Sequence, residues 1–210
     1  MNSSTQKFQI TGPVGLLEGL MDEPQGQPGG TERGTVVLAH PHPLFGGTMD
    51  NKVVQTLARA FVQSGWRAVR FNFRGVGASE GTYDHGTGEL QDLLAVVQHV
   101  APTGPLALAG FSFGAFVTSH ALTALVERNP EKVVLVGTAA SRFSVAPVST
   151  EFHDRTLVLH GEEDDTVPLS DVMNWARPQS LPVTVVPGGG HFFHGQLPLL
   201  RNIVARHLRG

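Results

Sequence analysis

The chain has no cysteine among its 210 residues, so it contains no disulfide, no thiolate nucleophile and no cysteine-based metal site. It also has no Lys/Arg cluster, and its formal net charge is -3, which argues against nucleic acid or an anionic membrane surface as a partner. No apolar run is long enough to span a membrane, and residues 1–11 are polar, without the apolar segment of a signal peptide. We therefore expect a cytoplasmic protein with one domain, residues 1–210, large enough for a full hydrophobic core.

A Gly-x-Ser-x-Gly motif, GFSFG, joins an apolar run at 106–110 to a predicted helix at 115–126. The two glycines give the strand and helix backbones room to pass closely, and the tight turn between them projects the hydroxyl of Ser112. The N–H of Phe113, at the start of the helix, then points towards an oxyanion formed on an acyl group. The competing interpretation is a chance match, because the chain has 25 glycines. The position between strand and helix favours a nucleophilic serine.

Short apolar runs bounded by Gly and Pro alternate with helical patterns along the chain. The spacing fits right-handed crossovers, so we expect an α/β fold with about eight mostly parallel strands and helices on both faces. Strands are predicted at residues 8–10, 14–21, 35–39, 67–72, 106–110, 132–137, 156–160 and 183–186. Further helices are predicted up to residue 64 with Asp50 or Thr48 as cap, at 89–100, and ending over 203–208. Residues 24–34 form a predicted Pro/Gly-rich loop.

A serine hydroxyl needs a base, and the base needs an acid that orients it. Acidic residues follow the strand at 156–160 in HGEEDDTVP, and histidines follow the last strand in GGGHFFHG. Both segments lie at the carboxyl ends of strands, on the edge of the sheet where Ser112 is expected. The favoured pair is Asp164 with His191, and the alternatives are Asp165 and His194. His160 is interpreted as a residue that orders its own loop.

The same motifs carry a resemblance to a known family. From residue 35 to 208 the chain resembles the α/β-hydrolase superfamily, and it is similar to small lidless bacterial hydrolases of the dienelactone-hydrolase and serine-aminopeptidase kind. The resemblance is carried by AHPHPLFGGTMDNK, FNFRGVGASEG, GFSFG, HGEEDDTVP and GGGHFFHG. It implies an α/β-hydrolase fold, a triad of Ser112, Asp164 and His191, and no metal or organic cofactor.

The second oxyanion donor is less well defined by the sequence. The family pattern maps it onto the N–H of His42, with Pro41 in place of the usual glycine. Pro43 has no N–H, so Leu44 and Phe45 are the alternatives.

Two early histidines raise the alternative of a metal site. His40 and His42 would have to combine with His191 and His194. The serine motif already accounts for His191, and no acidic ligand accompanies the early pair, so no metal site is predicted.

The interval 138–155 is where many hydrolases of this fold carry a lid, and here it is long enough only for a loop and one helical turn. We therefore expect an open site. Phe45 and Phe192 are the predicted substrate-binding residues, and the wider set of candidate apolar walls adds Phe113, Phe143 and Phe193.

The predicted function is hydrolysis of carboxylic esters with small or short acyl groups, so the expected partner is a small-molecule ester. The same triad also suits a peptidase or amidase, or a thioesterase. A non-catalytic binding protein on a hydrolase fold is the alternative from another class.

Overall fold

The computed structural model describes residues 5–24 and 33–210. Most of the predicted loop at 24–34 lies outside these residues. In the described chain, eight strands form one sheet: β1 Thr5–Gly12, β2 Gly15–Asp22, β3 Gly34–Ala39, β4 Trp66–Phe71, β5 Leu106–Phe111, β6 Lys132–Val136, β7 Thr156–Gly161 and β8 Val183–Val186. The α-helices are α1 Lys52–Gln63, α2 Thr87–Val100, α3 Phe113–Ala124, α4 Leu169–Ala176 and α5 Leu197–His207. Short 3-10 helices lie at Pro43–Phe45, Val126–Arg128, Thr150–Arg155 and Arg177–Gln179.

The sheet has the strand order β1-β2-β4-β3-β5-β6-β7-β8. The hairpin of β1 and β2 is antiparallel and joins the sheet antiparallel to β4. All other neighbours are parallel. The prediction of a mostly parallel α/β-hydrolase sheet is confirmed, and β3 and β5 lie side by side near its centre.

The two faces of the sheet carry two separate hydrophobic cores. Alternate residues of a strand point to opposite faces, so Val37 packs with α2, α3 and α4 on one side, while Val36 and Leu38 pack with α1 and α5 on the other. Because both faces are covered by helices, the parallel strands are continuous apolar runs.

Neither predicted cap of α1, Asp50 or Thr48, caps the helix. Asn51 caps the helix, because its Oδ1 accepts the N–H groups of Val53 (2.9 Å) and Val54 (3.4 Å). Asp50 instead forms an ion pair with Arg70 at 3.2 Å, and the predicted candidate Thr48 uses its Oγ1 to accept the Asp50 N–H at 3.2 Å.

Other boundaries differ modestly. α3 begins at Phe113, two residues before the predicted start, and α4 is a further helix of 8 residues that the sequence analysis does not predict. The interval 138–155 contains irregular chain, one turn and the 3-10 helix Thr150–Arg155, so the chain has no lid there, as predicted.

Candidate active site

Ser112 occupies the turn between β5 and α3 with φ 57° and ψ -117°, a conformation that is strained for a residue with a side chain. The two glycines of the motif permit this turn. A methyl group at Gly110 would overlap the backbone of Gly114, and one at Gly114 would overlap the backbone of Ala39 at the end of β3. The close approach of β3, β5 and α3 therefore holds Ser112 at the carboxyl edge of the sheet.

His191 and Asp164 reach Ser112 from the loops after β8 and β7. His191 Nε2 lies 3.0 Å from Ser112 Oγ, and His191 Nδ1 lies 2.6 Å from Asp164 Oδ2. All three residues are buried. The Ser112 hydroxyl can donate to Nε2 while Nδ1–H donates to the carboxylate, which is the hydrogen-bonded chain of a serine-hydrolase triad.

The carboxylate of Asp164 is held by its own loop as well as by His191. Its Oδ1 accepts the N–H groups of Thr166 (3.0 Å) and Val167 (2.7 Å). Burial raises the pKa of Asp164, but the hydrogen bonds from His191 and Val167 and the nearby histidines outweigh it, so the pKa lies below its usual value. The group therefore stays ionised beside the imidazole.

The alternatives for the acid and the base lie elsewhere. Asp165 is exposed and contacts the Thr166 hydroxyl at 3.3 Å. His194 is exposed, and its ring is tilted by 40° against that of Phe192, with ring centroids 5.9 Å apart. Neither belongs to the Ser112 hydrogen-bond chain.

His160 is buried behind the acid. Its Nε2 lies 2.8 Å from the carbonyl oxygen of Val167 and 3.4 Å from Asp164 Oδ2. Burial lowers its pKa, so the ring is neutral and donates to Val167. This contact ties the end of β7 to the Asp164 loop, in agreement with the role inferred from sequence.

The candidates for the second oxyanion donor, all in the loop after β3, differ in whether their N–H group is already hydrogen-bonded. The N–H of Leu44 is bonded to His42 Nδ1 at 3.2 Å, and the N–H of Phe45 to His42 O at 3.1 Å. Within the described residues, the N–H groups of His42 and Phe113 have no protein acceptor. Both residues line the cavity beside Ser112.

His40 fixes the start of the same loop. Its Nδ1–H donates to Pro41 O at 2.6 Å and its Nε2 accepts the N–H of Phe73 at 3.1 Å. Burial lowers the pKa of His40 to about 4, so the ring is neutral and serves as a bridge between the loops after β3 and β4.

A cavity of about 350 Å³ lies over Ser112 and His191. Of the five predicted wall residues, Phe45, Phe113, Phe143 and Phe192 line it. Phe193 does not, and its prediction as a wall residue is wrong. A positive φ of 50° turns Phe193 away, and it is fully buried in the core beneath α5.

Sequence reasoning missed several lining residues, which include Asn51, Ala139, Arg142, Thr166 and Val167. Thr166 and Val167 are only two and three residues after Asp164, so their position beside the acid can be inferred from the sequence. Arg142 lies in a segment with no motif.

In the described part of the chain, no group of three or more His, Asp or Glu side chains is arranged to hold a metal ion. No helix within residues 5–24 and 33–210 is both long and apolar enough to cross a membrane.

The fold and the hydrogen-bonded Ser, His and Asp together define a lidless serine hydrolase of the α/β-hydrolase superfamily. A family model described as serine aminopeptidase, S33, matches residues 30–149, and the chain belongs to this family.

Solved structures agree with this assignment. An α/β serine hydrolase without lid from Xanthomonas campestris is 36% identical, with a TM-score of 0.87 over 100% of this chain and 95% of the other. An α/β serine hydrolase homologue from Coxiella burnetii is 39% identical, with a TM-score of 0.81 over 97% of each chain. Est1E from Butyrivibrio proteoclasticus, solved with ferulic acid bound, shares the fold at 16% identity, with a TM-score of 0.80 over 96% of this chain and 98% of the other.

Proposed function

We propose that this protein, acting as one domain, is a carboxylesterase for esters of small or short-chain acyl groups. The observation that carries the proposal is the hydrogen-bonded triad of Ser112, His191 and Asp164. Ser112 and His191 line a cavity with aromatic walls. In the proposed reaction Ser112 is the nucleophile, His191 is the general base and then the general acid, and Asp164 orients the imidazole.

Acylation begins when Ser112 Oγ attacks the ester carbonyl while its proton passes to His191 Nε2. The carbonyl π electrons move onto oxygen, and the ionised Asp164 stabilises the imidazolium. When the tetrahedral intermediate collapses, Nε2 returns the proton to the leaving alcohol. A water molecule then repeats the sequence on the acyl-serine, which releases the acid and restores Ser112.

The oxyanion of each intermediate is stabilised by the N–H groups of Phe113 and His42. The proposal is supported by the hydrogen bonds that already engage Leu44 and Phe45, the two alternatives to His42. Each such donor contributes about 3 kcal/mol in acyl transfer. Because His40 is neutral and bonded on both sides, it keeps this loop in place while the charge develops.

The charges around the cavity favour ester substrates over peptides that would bind by their free N-terminus. A free peptide N-terminus carries a positive charge, and among the described residues that line the cavity none is acidic. The lining does contain a cation, Arg142, which would repel an ammonium group. Est1E, with the same fold, holds ferulic acid, an aromatic carboxylic acid, so this fold can accommodate the product of ester hydrolysis.

The decisive experiment combines Ser112→Ala with a fluorophosphonate probe. The variant should lose turnover of a short-chain ester by about 10⁶-fold while it remains folded. The probe should label the wild type and fail to label the variant. Ser170→Ala is the matched control, because Ser170 is exposed on α4 and outside the cavity.

If the activity of Ser112→Ala were within tenfold of the wild-type activity, the assignment of Ser112 as the nucleophile would be wrong. Absence of labelling in the wild type would favour the alternative of a non-catalytic binding protein.

A further inference from the structure

Arg142 is the one cationic side chain with a permanent charge among the described residues that line the active-site cavity. It is exposed, and in the part of the chain that the structure describes its guanidinium makes no ion pair or hydrogen bond. An arginine that faces a mostly apolar cavity without a partner is a ready binding group for an anion.

The position of Arg142 is fixed by its neighbours. The N–H groups of Arg142 and Phe143 both bond to Ala139 O, at 3.2 and 3.1 Å. Phe143 then packs into the fold and stacks on Phe116, with ring centroids 4.7 Å apart and an interplanar angle of 19°. The backbone at Arg142 is therefore held against the cavity rather than on a free loop.

The charge of Arg142 acts on one neighbouring residue of the cavity wall, His42. The pKa of His42 is lowered by burial first, then by the charges of Arg142 and His85. His42 contacts Phe113 and Phe143, with ring centroids 5.0 and 5.9 Å away, so it lies within the same wall of the cavity.

We propose that Arg142 binds a carboxylate on the substrate. The preferred substrates are then esters that carry a carboxylate group in addition to the ester bond. The inference rests on the proposed esterase function and narrows its substrate class. A planar guanidinium matches a carboxylate through two parallel hydrogen bonds, and this pairing is stronger than a neutral one. Arg142 and Ser112 line the same cavity of about 350 Å³, so we expect the carboxylate to lie only a few bonds from the scissile carbonyl.

The test uses two pairs of esters that differ only in charge. Monoethyl succinate against ethyl succinamate places the charge on the acyl side, and 4-acetoxybenzoate against 4-acetoxybenzamide places it on the alcohol side. For each protein the readout is the ratio of kcat/KM for the anionic ester to kcat/KM for its neutral amide analogue. This ratio cancels general losses of activity.

We expect Arg142→Gln to lower the ratio about tenfold for at least one pair, the size expected for one charge-assisted contact at a partly exposed site. Arg142→Lys should restore part of it, because a point charge keeps the attraction but loses the paired geometry. The wild-type preference should weaken as salt is added. Arg206→Gln, an exposed arginine on α5 outside the cavity, removes the same charge and should leave the ratio unchanged.

Two negative outcomes can be told apart. If the wild type hydrolyses the neutral esters but the ratio is the same in Arg142→Gln, the role of Arg142 is wrong and the esterase proposal stands. If none of the four esters is hydrolysed and the fluorophosphonate probe does not label Ser112, the esterase proposal fails and the inference fails with it.

Discussion

The two carboxylate oxygens of Asp164 have different hydrogen-bond partners. A substitution that replaces one oxygen therefore tests the role of Asp164 as the acid of the triad. Oδ1 accepts two backbone N–H groups, and Oδ2 faces His191 Nδ1. In Asp164→Asn the amide oxygen should take the Oδ1 position, because only oxygen can accept those N–H groups. The NH₂ group then points at Nδ1 and forces the tautomer whose Nε2 carries a proton.

That tautomer cannot accept the proton of Ser112, so we expect Asp164→Asn to lower kcat by about 10⁴-fold without unfolding the protein. Asp165→Asn is the matched control, because it makes the same chemical change one residue along on an exposed side chain. Its effect should be far smaller. Steady-state rates on one short ester, with circular dichroism of both variants, make the comparison, and a reversed order would move the acid to Asp165.

At the scale of an element, the loop after β3 depends on the protonation of His40. A protonated ring has no lone pair for the Phe73 N–H, and the buried site disfavours its charge. With a folded pKa of about 4 and an unfolded value of 6.5, the unfolded chain takes up this proton first as the pH falls. The contribution of His40 to stability is therefore complete above pH 6.5 and is lost between 6.5 and about 4.

We expect the free energy of unfolding to fall across this window by on the order of 3 kcal/mol through His40. Urea titrations at several pH values should show a shallower pH dependence in His40→Gln than in the wild type. His194→Gln, which removes an exposed histidine, should leave the slope as it is. A titration midpoint of the His40 ring near 6.5, measured by NMR, would contradict the expectation.

Elements also show why part of the site was readable from sequence. Ser112, Asp164 and His191 each follow closely on a strand that is a short apolar run, and carboxyl ends of parallel strands meet at one edge. Their order and placement follow from local patterns. The structure brings these three predicted residues together, and it places the predicted wall residues Phe45 and Phe192 at the same cavity.

The remaining features depend on contacts between elements that are distant in sequence. Arg142 faces the cavity because Phe143 is anchored on Phe116 of α3, and no local pattern encodes that pairing. The sequence does not distinguish Phe192 from Phe193, since the two differ in the structure by the positive φ that Phe193 alone adopts. Which residue, His42 or a neighbour, can act as the second oxyanion donor depends on which N–H groups are hydrogen-bonded within the 3-10 turn.

At the scale of the whole molecule, the missing lid predicts the acyl chain length. Each buried methylene contributes about 0.8 kcal/mol, but only while protein surrounds it. Phe45 and Phe192 are 77% and 43% exposed, so the cavity walls end soon after the ester. We expect kcat/KM to peak at acyl chains of roughly two to six carbons and to fall beyond that range.

No rate increase is expected when the substrate passes its solubility limit, since there is no lid for an interface to open. A series of p-nitrophenyl esters from acetate to palmitate, measured below and above solubility, decides the point. A maximum at long chains, or a jump at the solubility limit, would show that another part of the molecule or a second subunit encloses the site.

The open cavity has one more consequence, for the fate of the acyl group on Ser112. A closed site chooses its second reactant by excluding bulk solvent, and in the part of the chain that the structure describes the aromatic rim of this cavity is exposed. On the proposed mechanism, water and any small alcohol reach the acyl-serine by the same opening and compete for it in proportion to their concentration and nucleophilicity. In dilute solution the protein is a hydrolase, and in an alcohol-rich medium the same architecture makes it a transesterification catalyst.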